Sequence, residues 1–296
     1  MRAKPEIRAF FDEATKTVSY LVWSGSGGPG AIIDPVLDFT PSSGKVRTES
    51  AERLLAAADD EGVSVEWVLE THAHADHLSA ADWIKARTGA RVAIGAGIRD
   101  VQRHFAPLFG AADVTGDGSE FDRLLADGDL VAIGALEVEV IAVPGHTPAD
   151  VAYRIGDSVF VGDSIFMPDF GTARADFPGG DARLLYRSIR RLLDLPGETR
   201  LFMCHDYKAP GRDDYAWETN VAAQRAGNPH VRDGIGEEEF VAMRRARDSV
   251  LPPPALLLPA IQVNMRAGRL PPPDEDGVAR LRVPLDLPAE FVPPSR

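Results

Sequence analysis

The chain has 296 residues, 44% of them hydrophobic, and a net charge of −13. That excess of acid disfavours nucleic acid and anionic membrane as partners, because both are gripped by clustered Lys and Arg. A single cysteine, Cys204, excludes an intramolecular disulfide and leaves nitrogen and oxygen ligands to hold any metal.

Met1 to Tyr20 contains no apolar run long enough for a signal-peptide core or a spanning helix, so it reads as the first strands of a cytoplasmic protein. Phe10-Phe11 and Val18 to Trp23 read as strands, with a turn over Asp12 to Lys16. The Gly-rich run Gly25 to Gly30 lacks the following helix that a phosphate cradle needs. Ala31 to Pro35 looks like a strand instead, so the glycines read as a flexible turn. Ala51, Leu54, Leu55 and Ala58 recur at helical spacing over Thr48 to Glu61, with Thr48 and Ser50 as candidate caps. A strand over Val65 to Glu70 follows, then a helix over Ser79 to Thr88, a strand over Arg91 to Ile94 and a helix over Gly97 to Phe109. His104 in that helix has no candidate ligand beside it and reads as an ordinary surface or core histidine.

From Leu130 strands take over: Leu130 to Ile133, Leu136 to Val143, Val151 to Ile155 and Ser158 to Val161. Helices return at Asp181 to Leu193, Tyr215 to Gln224 and Glu237 to Arg247, with a short strand over Arg200 to Cys204 among them. Proline is dense after Val250, which predicts an extended tail laid over the surface without a second core. The expected organisation is one catalytic domain over residues 1–250 carrying a Pro-rich extension over 251–296.

The chemistry concentrates in Thr71-His72-Ala73-His74-Ala75-Asp76-His77, where three of the seven histidines fall within six positions beside a carboxylate. The cluster follows the Val65 to Glu70 strand. A strand end fixes the backbone while the ensuing turn lets side chains two and four residues apart converge, and imidazole with carboxylate suits zinc or non-haem iron. His74 and His77 read equally as partners that orient other ligands. Three further polar residues follow apolar strands: His146 in Pro144-Gly145-His146-Thr147, Asp163 in Gly162-Asp163-Ser164, and His205 in Cys204-His205-Asp206-Tyr207. Residues at the ends of neighbouring strands can meet at one edge of a sheet. Cys204, inside an apolar run, reads as a small buried residue.

These motifs together resemble the metallo-β-lactamase superfamily, and within it the persulfide dioxygenases (sulfur dioxygenases) with their bacterial β-lactamase-like hydrolase relatives. The nearer resemblance rests on Gly171 to Phe177, Cys204 to Tyr207, Asn228-Pro229 and the tail Leu258 to Gly268. It implies an α/β fold, an αββα sandwich of two mixed sheets flanked by helices. It also implies one Fe(II) per chain on His72, His146 and Asp163, and oxidation of glutathione persulfide by O2 to sulfite and glutathione. Arg174 would clamp a glutathione carboxylate, and Tyr207 would donate a hydrogen bond to substrate or oxygen. The resemblance leaves room for a homodimer. The same residues also suit a glyoxalase II-like hydrolase of glutathione thioesters, with Zn(II) or a dinuclear site: His72, His74 and His146 on one metal, Asp76, His77 and His205 on the other, and Asp163 between them.

Overall fold

Apolar side chains alternate along the central strands, and each strand therefore feeds two cores at once. The computed structural model describes residues 4–25 and 27–286, so Met1 to Ala3, Ser26 and the last ten positions of the expected extension lie outside the described residues. In chain order the elements are β1 (Glu6–Asp12), β2 (Thr17–Trp23), β3 (Gly28–Ile33), β4 (Val36–Thr40), β5 (Lys45–Arg47), α1 (Glu49–Asp60), β6 (Val63–Leu69), β7 (Leu78–Ser79), α2 (Ala81–Thr88), β8 (Arg91–Gly95), α3 (Ile98–Phe109) and β9 (Arg123–Leu125). They continue with β10 (Leu130–Ile133), β11 (Leu136–Ala142), β12 (Val151–Ile155), β13 (Ser158–Phe160), α4 (Ala182–Leu193), β14 (Arg200–Phe202), β15 (Glu218–Asn220), α5 (Val221–Gly227), α6 (Glu237–Asp248) and α7 (Leu257–Asn264).

One six-stranded sheet runs β1-β2-β3-β6-β8-β9 and the other β10-β11-β12-β13-β14-β15, with β5-β4-β7 as a small third sheet. The β3-β6-β8-β9 run is parallel, joined by α1, α2 and α3, whereas β1, β2 and β3 pair antiparallel. Tyr20, Val22, Ile33, Trp67 and Leu69 face Val138, Val140, Tyr153 and Phe160 of the second sheet and form the core between the sheets. Their neighbours Leu21, Ile32 and Val68 point the other way, into α1, α2 and α3. Val159, Leu201 and Met203 pack against Leu185, Ile189 and Phe240 of α4 and α6. The result is the αββα sandwich that the resemblance implied.

Gly28 to Gly30 belong to strand β3 and not to a turn, Thr48 stands at the start of α1 without a side-chain cap hydrogen bond, and two further elements differ from the sequence reading. Residues 215–224 do not form one helix: Glu218–Asn220 pair antiparallel with Arg200–Phe202, and Asn220 then caps α5 by accepting from Ala223 N at 2.8 Å. The tail is not simply an extended surface segment. α7 is a buried helix, with Ala260, Ile261, Val263 and Met265 fully enclosed in the core under α1 to α3. Proline density misleads there because Pro259 occupies the first turn of the helix, where a backbone N–H has no intrahelical partner to lose.

Two glycines shape the loops beyond the strand ends. Gly145 has φ +142° and a Cβ there would lie 2.3 Å from Leu185 N; Gly162 has φ +53° and a Cβ would lie 2.8 Å from Thr71. Both positions exclude a side chain by space as well as by backbone conformation.

A tail helix that belongs to the core is testable by truncating its side chains. Ile261→Ala should cost about 2–5 kcal/mol in a urea unfolding curve. Leu285→Ala, at a position 73% exposed, should cost less than about 0.5 kcal/mol. Equal small losses at both positions would contradict the buried-helix assignment.

Candidate metal centre

All the candidate ligands arrive from chain segments just beyond a strand end. His72, His74, Asp76 and His77 follow β6, His146 follows β11, Asp163 follows β13 and His205 follows β14. They converge at one edge of the sandwich as two donor groups. His72, His146 and Asp163 offer ligand atoms within 4.8 Å of one another, and so do His74, Asp76, His77 and His205. Asp163 lies between them: its Oδ2 is 4.0 Å from His72 Nε2 and 3.7 Å from His146 Nε2, while its Oδ1 is 3.4 Å from His205 Nε2. His74 also sits between the groups, its ring 4.0 Å from that of His72 and 4.1 Å from that of His77.

Each imidazole is oriented from behind, which fixes the nitrogen that faces the centre. Arg174 O accepts from His146 Nδ1 at 2.8 Å, and Lys16 O accepts from His205 Nδ1 at 3.1 Å. The Thr71 hydroxyl donates to Asp34 Oδ2 at 2.9 Å, so its oxygen is left to accept from His72 Nδ1 at 3.0 Å. His74 Nε2 donates to Asp34 Oδ1 at 2.9 Å, and Thr17 Oγ1 lies 3.3 Å from His77 Nδ1. Nε2 of His72, His146, His77 and His205, and Nδ1 of His74, are thereby the atoms turned inward.

Burial, reinforced by neighbouring imidazoles, holds the His72 ring well below its ordinary pKa, so it is neutral with a lone pair free. His74 behaves oppositely: burial opposes its charge, but the Asp34 carboxylate and its hydrogen bond raise the ring well above the usual value. Burial would raise Asp76 too, yet the His205 and His77 rings hold its carboxyl well below the usual range.

The residues fit a metal on the strength of what they leave unpaired. His74 Nδ1, His77 Nε2, His205 Nε2, Asp76 Oδ2 and Asp163 Oδ1 are all buried without a hydrogen-bond partner among the described residues. Asp76 Oδ2 and His205 Nε2 stand 3.1 Å apart without hydrogen-bond geometry. Five buried nitrogen and oxygen atoms left unpaired in one cluster would be costly if the cluster were purely structural, and a cation satisfies them together.

Asp76, His146 and Asp163 open onto a cavity of about 550 Å³ whose wall also includes Phe166, Phe170, Arg174 and Tyr207. The Arg174 fork is held by Asp176, at 2.5 and 2.7 Å, and by Pro252 O at 2.7 Å, so its nearest link to the centre is the carbonyl that orients His146. Tyr207 stacks on His205 with ring centroids 5.6 Å apart and remains 42% exposed. Cys204 is buried beside Asp34 at 3.6 Å, burial pushes its thiol pKa up, and its Sγ lies within 4.8 Å of ligand atoms of Asp34 and His74 and of Asp163 and His205. His104 is exposed on α3. His230 is buried and accepts from Thr172 N at 3.0 Å.

Sequence reasoning missed three supports. Asp34 had the same signal as the ligands, a carboxylate at the end of an apolar strand, but was read as part of the strand. Glu70, which accepts from Ser79 Oγ and lies 3.4 Å from His74 Nε2, immediately precedes the cluster. Asn264 bears no local signal. Its Nδ2 donates to His74 O and His77 O at 2.8 Å each, and its Oδ1 accepts from Ser79 N at 2.7 Å.

Comparison with known proteins agrees with this geometry. The metallo-beta-lactamase superfamily model matches residues 13–205. A probable metallo-hydrolase of Burkholderia pseudomallei is 52% identical, covering 95% of this chain and 99% of its own length. Glyoxylase B2 of Dictyostelium discoideum is 42% identical, covering 97% and 99%. The human persulfide dioxygenase ETHE1 is 28% identical, covering 88% of each. Against the β-lactamase hydrolase-like protein of Agrobacterium fabrum, 50% identical over 96% of this chain, the chain spans 66% of the relative's length. The solved structure of ETHE1 from Myxococcus xanthus superposes with a TM-score of 0.71 at 31% identity, covering 89% of this chain and 100% of that one. The matched span contains all seven candidate ligands, from His72 to His205, and the chain belongs to the metallo-β-lactamase superfamily.

Proposed function

We propose that the protein is an iron-dependent persulfide dioxygenase that converts glutathione persulfide, O2 and water to glutathione, sulfite and two protons. The observation that carries this reading is the His72, His146 and Asp163 group, in which His146 and Asp163 open on a cavity lined by phenylalanines and cations. Two imidazoles and one carboxylate are the donor set of non-haem iron oxygenases that keep positions free for oxygen and substrate. The likeness to ETHE1 over nearly the whole chain supports the same reading.

Ferrous iron, when bound, supplies the redox chemistry that lets O2 react with a sulfur atom. The chain supplies the rest. Thr71 and the Arg174 carbonyl hold His72 and His146 in the tautomer that presents Nε2, so the ligand lone pairs are aimed before any metal arrives. Phe166, Phe170, Leu251 and Leu256 line the cavity with apolar surface and keep water away from the reacting sulfur. Tyr207, which stacks on His205 and lines the cavity, would donate a hydrogen bond from its hydroxyl to the substrate.

A second reading has its own observation. The orphaned atoms of Asp76, His77 and His205 offer a second cation position, as a glyoxalase II-like thioester hydrolase with two metals would use.

Metal content and oxygen uptake separate the two. Protein purified without added metal should carry about one iron per chain and take up about one O2 per persulfide consumed, with sulfite as product. Two zinc ions per chain and thioester hydrolysis without oxygen uptake would reject the dioxygenase.

His72→Ala and Asp163→Ala should each weaken metal retention by at least about 100-fold and abolish turnover. Full iron occupancy in either variant, read by atomic absorption, would remove the residue from the ligand set.

The pH dependence of loading follows from His74. Its pKa lies above the usual histidine value without metal, so across neutral pH its charge, on a ring 4.0 Å from that of His72, opposes a cation held by His72, His146 and Asp163, and affinity should rise as pH increases from 6 to 8.5. Chelator competition measures this directly, and an affinity flat over that window would show that His74 takes no part.

A further inference from the structure

The cavity wall is cationic on a chain whose net charge is −13. Four cations line it: Lys16, Arg174, Arg244 and Arg247. Among the described residues, the acids on the same wall are Asp76 and Asp163, both members of the donor groups. Three of the four cations already have partners. Lys16 Nζ donates to the Tyr215 hydroxyl at 2.8 Å. Arg174 is forked onto Asp176. Arg244 pairs with Asp248 at 2.6 Å and donates to Thr172 O at 3.2 Å. The guanidinium of Arg247 has no hydrogen-bond or ion-pair partner among the described residues. It is exposed, in the last turn of α6.

An arginine in the last turn of a helix is commonplace, since the helix end carries partial negative charge. Arg245 of the same turn illustrates that ordinary role, because it faces a separate shallow pocket with Asp181 and Ser249. Arg247 differs in facing the cavity that holds His146 and Asp163, whose wall also includes the apolar side chains of Phe170 and Leu251. A free fork of donors there matches a carboxylate, which guanidinium binds in a bidentate manner.

We propose that Arg247 is the specificity-determining residue of this site, its guanidinium binding a carboxylate of the thiol carrier while the sulfur end reaches the metal centre. The inference rests on the persulfide reading for the identity of the thiol, and it moves the carboxylate anchor from Arg174, whose fork is filled, to Arg247. Arg174 then acts as a positioning residue through its carbonyl on His146.

The test uses the metal-loaded full chain with reduced glutathione and glutathione diethyl ester as probes, by titration calorimetry, on wild type, Arg247→Gln and Arg247→Lys. The Gln variant should bind glutathione about tenfold or more weakly, bind the diester as wild type does, and retain its iron, while Lys recovers part of the loss. In oxygen-uptake assays its KM for glutathione persulfide should rise about tenfold with kcat within about twofold of wild type, the pattern of lost uniform binding. Unchanged glutathione binding in the Gln variant, an equal loss for the diester, or no binding to wild type would each overturn the assignment. If the binding difference holds while no persulfide drives oxygen uptake, the dioxygenase reading fails and the Arg247 assignment stands. If uptake proceeds and the difference is absent, the reverse is true.

Discussion

One buried carboxylate, that of Asp34, holds the strand ends in register with each other. Asp34 accepts from Thr71 N at 2.7 Å, Thr71 Oγ1 at 2.9 Å and His74 Nε2 at 2.9 Å, and lies 3.6 Å from Cys204 Sγ. It therefore joins the ends of β3, β6 and β14 from inside the protein. Its backbone sits at φ +50°, a left-handed conformation costly for a residue with a side chain, though aspartate tolerates it better than most. Burying a carboxylate is unfavourable unless its oxygens are well paired, and four contacts supply that pairing. The consequence is tautomeric control. Because Asp34 accepts hydrogen bonds from Thr71 Oγ1 and His74 Nε2, both His72 and His74 present a defined nitrogen to the metal side.

This dependence explains which parts were legible in the sequence. The histidine cluster was readable because its spacing is local: three imidazoles follow one strand, and the strand announces itself by its apolar, β-branched residues. His146, Asp163 and His205 were readable by the same device, a polar residue directly beyond an apolar run. Asp34 met that criterion and was overlooked because Pro35 and Val36 continue the apolar run past it. Asn264 could not be found locally. Its role exists only because α7 packs under α1 to α3 and brings its amide to His74 O and His77 O, some 190 residues away in sequence. Proline density after Val250 argued against such a helix, and burial of Ile261 and Val263 overrode it.

The tail helix thus does for the loop backbone what Asp34 does for its side chains. The turn over residues 74–79 carries donors of the second group, and a turn with that many polar side chains would otherwise sample several shapes. Asn264 fastens two carbonyls and one amide of it with a single side chain. Ligands held in place before metal binding lose little freedom on loading, which is the physical basis of high affinity in a preformed site.

A division of labour along the chain follows. The span matched by the superfamily model, residues 13–205, contains all the candidate ligands together with Asp34, Thr17 and Lys16, the groups that orient them. It ends before α5, α6 and α7. α6 contributes Arg244 and Arg247 to the cavity wall, the segment leading into α7 contributes Leu251 and Leu256, and α7 contributes Asn264 to the loop, none of them a candidate ligand. The donor set is thus built by the part of the chain shared with many enzymes, and it is compatible with more than one reaction. The part that follows completes a cavity wall that Lys16, Phe166, Phe170 and Arg174 of the matched span begin. On the persulfide reading proposed above, an anionic thiol approaching this acidic chain would be drawn in by a local cationic surface at the cavity, to which α6 adds Arg244 and Arg247 beside Lys16 and Arg174.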